Sequence, residues 1–215
     1  MGNIYKTALD KVIFLYKAYS EEHRFTTQPF HLEKAQAVIA DFEYNPNDKL
    51  IRETLIEHVG GLPTVATTLY PYIKNPNVNL GKALIMLAIH DIGELAVHDE
   101  ITFTKNKGNH DEEEKQGLKL LPDLYHKIYL EMEDRTSDTA RFAKAVDKIT
   151  PDILDLMTPA DITIIRYEKF IRKAPNEIVP TLKEFKHPYM LWNEFMTNLH
   201  LEVLDRINTK LSKFS

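Results

Sequence analysis

Apolar residues along the chain recur mainly at three- and four-residue steps, and the two-residue alternation of a half-buried strand is almost absent. Ile4 to Tyr19 reads as an amphipathic helix with Leu9, Val12, Ile13 and Tyr16 on one side. His31 to Phe42 reads as a second, closed by the turn-forming cluster Tyr44-Asn45-Pro46-Asn47-Asp48. Leu50 to Ile73 is a long helical stretch, and Gly60, Gly61 and Pro63 predict a kink or break just after His58. Asn79 is placed to cap a helix from Leu80 to about Gly93.

Further on, an acidic helix runs from His110 to Leu121, and Pro122 separates it from a segment centred on Tyr125 and Tyr129. Ser137 can cap a helix carrying Ala140, Ala143, Val146 and Ile149, which Pro151 is expected to stop or bend. Pro159 opens another segment, and Thr181 to Leu211 closes the chain as helix, interrupted at Pro188. No repeat, low-complexity linker or shift in composition marks a boundary. The pattern predicts an all-α fold, with residues 1–215 as a single helical domain.

Composition narrows the chemistry. The 215 residues are 43% hydrophobic and 27% charged, ordinary for a globular chain able to bury a core. A net charge of -5 argues against nucleic acid or anionic membrane as partner. There is no cysteine, which removes disulfides, thiolate metal sites and a cysteine nucleophile together. Any metal must therefore be held by His, Asp and Glu. The first residues lack the continuous apolar core of a signal peptide, because Lys6, Asp10, Lys11 and Lys17 break it. Lys6 stands where a myristoylation signal wants Ser or Thr, and the apolar run Ala83–Ile89 is too short to cross a bilayer. The expected setting is the cytoplasm.

The most telling segment is ALIMLAIHDIGELAVHDE, residues 83–100. A strongly apolar helix ends abruptly in His90-Asp91, and Glu94 follows within one turn, so the three can share a neighbourhood. Burying an imidazole and a carboxylate there is costly unless something compensates the charge, and a divalent cation does so. Alone, a helix end emerging into solvent would explain the same residues. Upstream, however, Glu53-Thr54-Leu55-Ile56-Glu57-His58 puts a histidine on the preceding long helix. Downstream, Asp147 borders the apolar stripe of Ala143 and Val146.

The order His, His-Asp, Asp on successive helices resembles the HD superfamily of metal-dependent phosphohydrolases. The likeness is greatest to the branch of small 5'-deoxynucleotidases, and it covers about residues 44 to 153. Glu53 to His58, then His90-Asp91-Ile92-Gly93-Glu94 with Asp99, and finally Asp147-Lys148, match that branch's motifs in turn. The resemblance implies that His58, His90, Asp91 and Asp147 ligate one divalent metal ion. Two imidazoles and two carboxylates suit Mn, Co, Fe, Ni or Zn better than Mg or Ca. It further implies that Glu94 orients or deprotonates the attacking water, and that Asp99 assists the leaving 5'-oxygen or contacts the sugar. The implied substrate is a (deoxy)nucleoside monophosphate, and small proteins of this kind are commonly homodimers.

The chain also departs from the branch. Where the deoxynucleotidases carry an Arg-Trp pair that holds the nucleotide, it has Glu43-Tyr44, so Tyr44 is the remaining candidate for stacking on substrate. With no phosphate-binding loop in view, Arg52, Lys105 and Lys107 are the candidates for helping the metal hold phosphate. His98-Asp99 lacks a matching ligand set and reads as surface, and His126, His187 and His200 read as core-edge histidines. The stripe Met190-Leu191-Trp192, Phe195-Met196 is either ordinary packing or a dimer surface. Two other readings share the ligand set: an HD hydrolase acting on nucleoside triphosphates or guanosine alarmones, and a non-catalytic nucleotide-binding module.

Overall fold

The computed structural model describes residues 4–97 and 107–214. Eleven α-helices among these carry the fold, in keeping with the helical periodicity: α1 (Ile4–Glu21), α2 (Pro29–Val38), α3 (Leu55–Ile73), α4 (Leu80–Ile89), the short α5 (Glu94–Val97), α6 (Lys107–Leu120), α7 (Asp123–Asp134), α8 (Asp138–Met157), α9 (Ala160–Ile171), α10 (Pro175–Lys186) and α11 (Glu194–Leu211). The chain is all-α apart from one small antiparallel pair, β1 (His23–Thr27) and β2 (Arg52–Thr54), whose register places His23 opposite Thr54 and Thr27 opposite Arg52 with an irregularity between. The long stretch expected to be helix from Leu50 thus begins as a turn and the strand Arg52–Thr54, and helix starts only at Leu55.

Local chemistry explains several boundaries. Thr54 and Glu57 form a capping box at the start of α3: Thr54 Oγ1 accepts from the Glu57 amide, and Glu57 Oε2 accepts from the Thr54 amide at 2.8 Å. Asn79 and Ser137 cap α4 and α8 as their positions suggested. Neither Pro63 nor Pro151 ends its helix. α3 runs through Gly60, Gly61 and Pro63, and α8 runs through Pro151. A proline inside a helix costs about 3 kcal/mol, but both helices are buried on either side of the defect. Leu55 and His58 precede Pro63, and Leu62 and Ala66 surround or follow it; Ile149 and Thr150 precede Pro151, and Asp152 and Asp155 follow it. Burying a large apolar side chain such as Leu62 or Ile149 contributes ~1.5–3 kcal/mol, and beyond Pro151 the buried Asp152 and Asp155 are held by Lys186 and Arg166.

The main core lies between α3, α4, α8 and α11, where Leu62, Met86, Leu87, Phe142, Val146, Ile149, Met196 and Leu204 meet. Met196 is therefore core, and α11 is ordinary packing on that side. A second cluster joins Tyr19, Leu55, Ile92 and Tyr129, and a third joins Leu32, Ile51 and Ile162. α8 is also tied by buried charge. Asp155 takes hydrogen bonds from Arg166 and from the Tyr167 hydroxyl, and Asp152 from Lys186, with His200 Nε2 3.1 Å away. That anchoring fixes the register of α8, and with it the place of Asp147. No helix among the described residues is long and apolar enough to cross a membrane.

Candidate metal centre

Three helical segments deliver His58, His90, Asp91 and Asp147 to one buried point. His58 lies in the first turn of α3, just after the capping box. α4 buries Ala83, Met86 and Leu87 and passes into a tight 3-10 turn, His90–Gly93, in which all four residues are buried. Asp147 projects from the middle of α8. The turn can pack this closely because Gly93 has no side chain: a Cβ there would stand 2.3 Å from the Glu113 carbonyl oxygen of α6.

The distances suit a shared ion. His58 Nε2 lies 3.3 Å from Asp147 Oδ1 and 3.6 Å from Asp91 Oδ2, while His90 Nε2 lies 2.9 Å from Asp91 Oδ1 and 3.3 Å from Asp147 Oδ1. One donor atom from each of His58, His90 and Asp147 falls within 4.8 Å of the other two. Ligands about 2.1 Å from a transition ion stand ~3–3.4 Å apart when adjacent, so the observed spacing needs little adjustment.

His90 supplies the sharpest test of fit. Its Nδ1 is 3.0 Å from the Leu87 carbonyl oxygen, which can only accept, so Nδ1 carries a proton. In the neutral ring Nε2 then presents a bare lone pair. That nitrogen is buried, has no aligned hydrogen bond, and confronts two carboxylate oxygens. A lone pair facing two anions is repulsive unless a proton or a cation stands between them. The donor set therefore fits a divalent transition ion. Without one, burial disfavours the imidazolium, but Asp91 and Asp147 outweigh burial and push the His90 pKa up to about 9.

The carboxylates show the converse. Burial works against the charged form of Asp91, yet His90 and Arg24 hold its carboxyl far below the usual range. Asp147 is likewise depressed against its burial, through Lys148, His90 and His58. Lys148 Nζ lies 3.0 Å from Asp147 Oδ2. Behind His58, Glu53 of β2 places Oε2 3.5 Å from Nδ1, and both groups are buried. Glu53 is thereby positioned to orient the imidazole.

Glu94 opens α5 beside the cluster and is buried rather than exposed. Arg24, on β1, meets both acids: its Nη1 lies 2.7 Å from Asp91 Oδ2 and 3.2 Å from Glu94 Oε2. Arg24 reaches the cluster from a segment whose HRFTT alternation is the only local hint of a strand.

The other described candidates have different partners. The Tyr44 hydroxyl is 3.1 Å from Thr27 Oγ1, and its ring packs on the third cluster with Leu32 and Ile51; no described contact links it to the histidines. Arg52 is spent on the backbone, its Nε donating to the Arg24 carbonyl at 2.5 Å and its Nη2 to that of His23 at 2.9 Å. It braces the strand that carries Arg24. Asp99, His98 and Lys105, and the side chain of Lys107, lie outside the described residues. His200 is fully buried between Asp152 and His187, which is a packing role.

A family model described as HD domain matches residues 46–186, a span that contains all four residues of the cluster. Among solved structures, the chain is similar to a predicted metal-dependent phosphohydrolase from Magnetospirillum magnetotacticum MS-1. The TM-score is 0.65 at 19% identity, with 96% of each chain covered. No curated protein sequence matches the chain significantly.

Proposed function

The chain belongs to the HD-domain family, and from that premise we infer that it is a metal-dependent phosphohydrolase acting on the 5'-phosphomonoester of nucleoside or deoxynucleoside monophosphates. The observation that carries the reading is His90 Nε2, buried without an aligned hydrogen bond and facing, with His58 Nε2, the carboxylates of Asp91 and Asp147. The similar fold of a protein described as a phosphohydrolase supports the reaction class. The nucleotide substrate rests on the matching order of His58, His90-Asp91, Glu94, Asp99 and Asp147.

His58, His90, Asp91 and Asp147 would hold one divalent transition ion, with Mn, Co, Fe, Ni and Zn all compatible with the ligands. Such an ion, when bound, acidifies a water and offsets charge on the phosphoryl oxygens. The protein does the rest. Glu94, adjacent to the ligand turn, accepts the proton of the attacking water, and Arg24 orients the Glu94 and Asp91 carboxylates from the opposite side. Lys148 offsets the charge of Asp147. Asp99 is assigned to the leaving 5'-oxygen or the sugar on the motif alone, and Tyr44, which stands where the branch has its Arg-Trp pair, to stacking on the substrate.

The deciding experiment is phosphate release from a panel of nucleoside mono-, di- and triphosphates and a guanosine alarmone. Chelator-stripped protein refilled with each metal is compared with Asp91→Ala. Metal-dependent release from monophosphates, lost in the variant, supports the assignment. Turnover of only triphosphates or the alarmone transfers it to the polyphosphate-hydrolysing members. Stoichiometric metal binding with no turnover makes the protein a binding module.

A further inference from the structure

The stripe Met190-Leu191-Trp192 divides on folding. Met190 joins the core, while Trp192 lines a surface pocket of about 290 Å³ together with Asp134, Arg135, Arg141, Pro188 and Tyr189. Three parts of the chain meet there: the end of α7 with its cap residue Arg135, the first turn of α8 at Arg141, and the 3-10 turn His187–Tyr189 that leads towards α11. Arg141 precedes Asp147 by six residues on α8, about 9 Å along the axis and about 120° around it. The pocket is therefore separate from the metal cluster.

Its lining holds donors for an anion and rings to flank it. Among the described residues the Arg135 guanidinium has no acidic partner; it rests on the Tyr189 ring, its Cζ 5.0 Å from the centroid. A guanidinium held over a ring in this way keeps its N–H edge available to an oxyanion. Arg141 gives one nitrogen, Nη1, to Asp138 at 2.9 Å, which leaves the rest of its donor fork unengaged. Trp192 Nε1 is buried and has no hydrogen-bond partner, although a buried indole N–H usually finds one. Asp134 is the single acid in the lining against two arginines, so the wall is positive on balance.

We propose that this pocket binds a small anion built on a flat ring, its carboxylate or phosphate-type group held by Arg135 and Arg141 and its ring packed against Tyr189 and Trp192. Two guanidinium groups recognise an oxyanion through charge-assisted, often paired hydrogen bonds. The aromatic side chains offer a flat ring a face or an edge to pack on. The volume lies at the small end of ligand pockets, about 300 Å³, which suits one ring with its anionic group and is too little for a dinucleotide.

Trp192 is the only tryptophan of the chain, so its fluorescence reports on the pocket directly. The probe is phenylphosphonate, whose P–C bond a phosphomonoesterase does not cleave, titrated into the full-length protein beside orthophosphate. The expected result is a saturable change in Trp192 emission, with phenylphosphonate binding about tenfold or more tighter than orthophosphate. That affinity should weaken at least tenfold in Arg135→Ala and in Arg141→Ala, with circular dichroism and metal content unchanged in both. It should persist in chelator-stripped protein and in Asp91→Ala. A response that vanishes with the metal places the probe in the metal cluster, and one indifferent to both arginine variants places it elsewhere; either overturns the proposal. So does an affinity no better than that of orthophosphate, or the absence of any response or calorimetric heat up to about 10 mM probe, beyond the range of weak millimolar binding.

Discussion

Arg24 and Asp91 form a buried ion pair, Nη1 to Oδ2 at 2.7 Å, that ties strand β1 to the ligand turn after α4. The pair has a second acceptor, since the same guanidinium nitrogen reaches Glu94 Oε2. Arg24 thus neutralises part of the negative charge gathered beside the proposed metal site.

Removing that guanidinium separates stability from metal affinity. Arg24→Met leaves Asp91 and Glu94 buried without their cation, which costs about 3–5 kcal/mol when one partner of a buried pair is lost. A bound divalent ion would offset part of the loss. The metal-free variant is expected to melt well below the wild type, and saturating Mn or Co should raise its Tm by more than it raises that of the wild type. Differential scanning fluorimetry with and without metal measures both. Equal metal-induced shifts in the two proteins would show that Arg24 does not act on the ligand set.

Glu94 is expected to separate binding from chemistry. It sits one turn after Asp91 and is buried next to the cluster, yet it is not among the four residues assigned to the ion. Glu94→Gln keeps the shape and removes the base. The variant should retain about one metal per chain by elemental analysis, while phosphate release falls ~10²–10⁴-fold. His58→Ala, by contrast, should lose both together. A Glu94→Gln enzyme with near-normal kcat would remove Glu94 from the proton transfer.

Much of the site was legible because its signals are local or ordered along the chain. Asn79 and Ser137 are short-range caps, and the apolar run ending at His90-Asp91 announces a buried helix meeting something charged. What failed to show depends on contacts distant in sequence. Nothing near Arg24 indicates that it will meet Asp91 and Glu94, and β1 is too short for its alternation to stand out in a helical chain. Of the kink or break expected at Pro63 and the stop or bend at Pro151, the break and the stop do not occur, because burial on both sides of each proline holds the helix together.

Gly93 holds the ligand turn against α6. A methyl group at this position would meet the Glu113 carbonyl carbon at 2.9 Å as well as its oxygen, and backbone cannot swing aside as a flexible side chain can. Gly93→Ala should therefore push α6 from the turn and destabilise the protein by about 1–3 kcal/mol, the usual range for overpacking. Because the turn carries His90 and Asp91, metal affinity should fall along with Tm. Urea unfolding and metal titration of the variant are the measurements, and an unchanged midpoint would mean that the turn and α6 separate freely.

Glu131 gives a prediction away from the metal. It lies near the end of α7 and accepts from two elements at once: Lys82 Nζ of α4 at 2.7 and 2.5 Å, and Ser137 Oγ, the cap of α8, at 2.6 Å. Burial disfavours its charge, but the bonds from Lys82 and Ser137 prevail and hold its carboxyl below the ordinary value of 4.5. A carboxyl whose pKa is lower folded than unfolded stabilises the fold above the unfolded pKa, and that contribution disappears as pH falls through the folded one. Glu131→Gln keeps the size but exchanges a charge-assisted acceptor for a neutral one, which should cost about 1–2 kcal/mol at neutral pH. The gap between wild type and variant should then narrow steadily as the pH is lowered below 4.5. Urea midpoints at a series of pH values test both parts, and a gap that stays constant into acid would mean that the charge of Glu131 does not hold α4, α7 and α8 together.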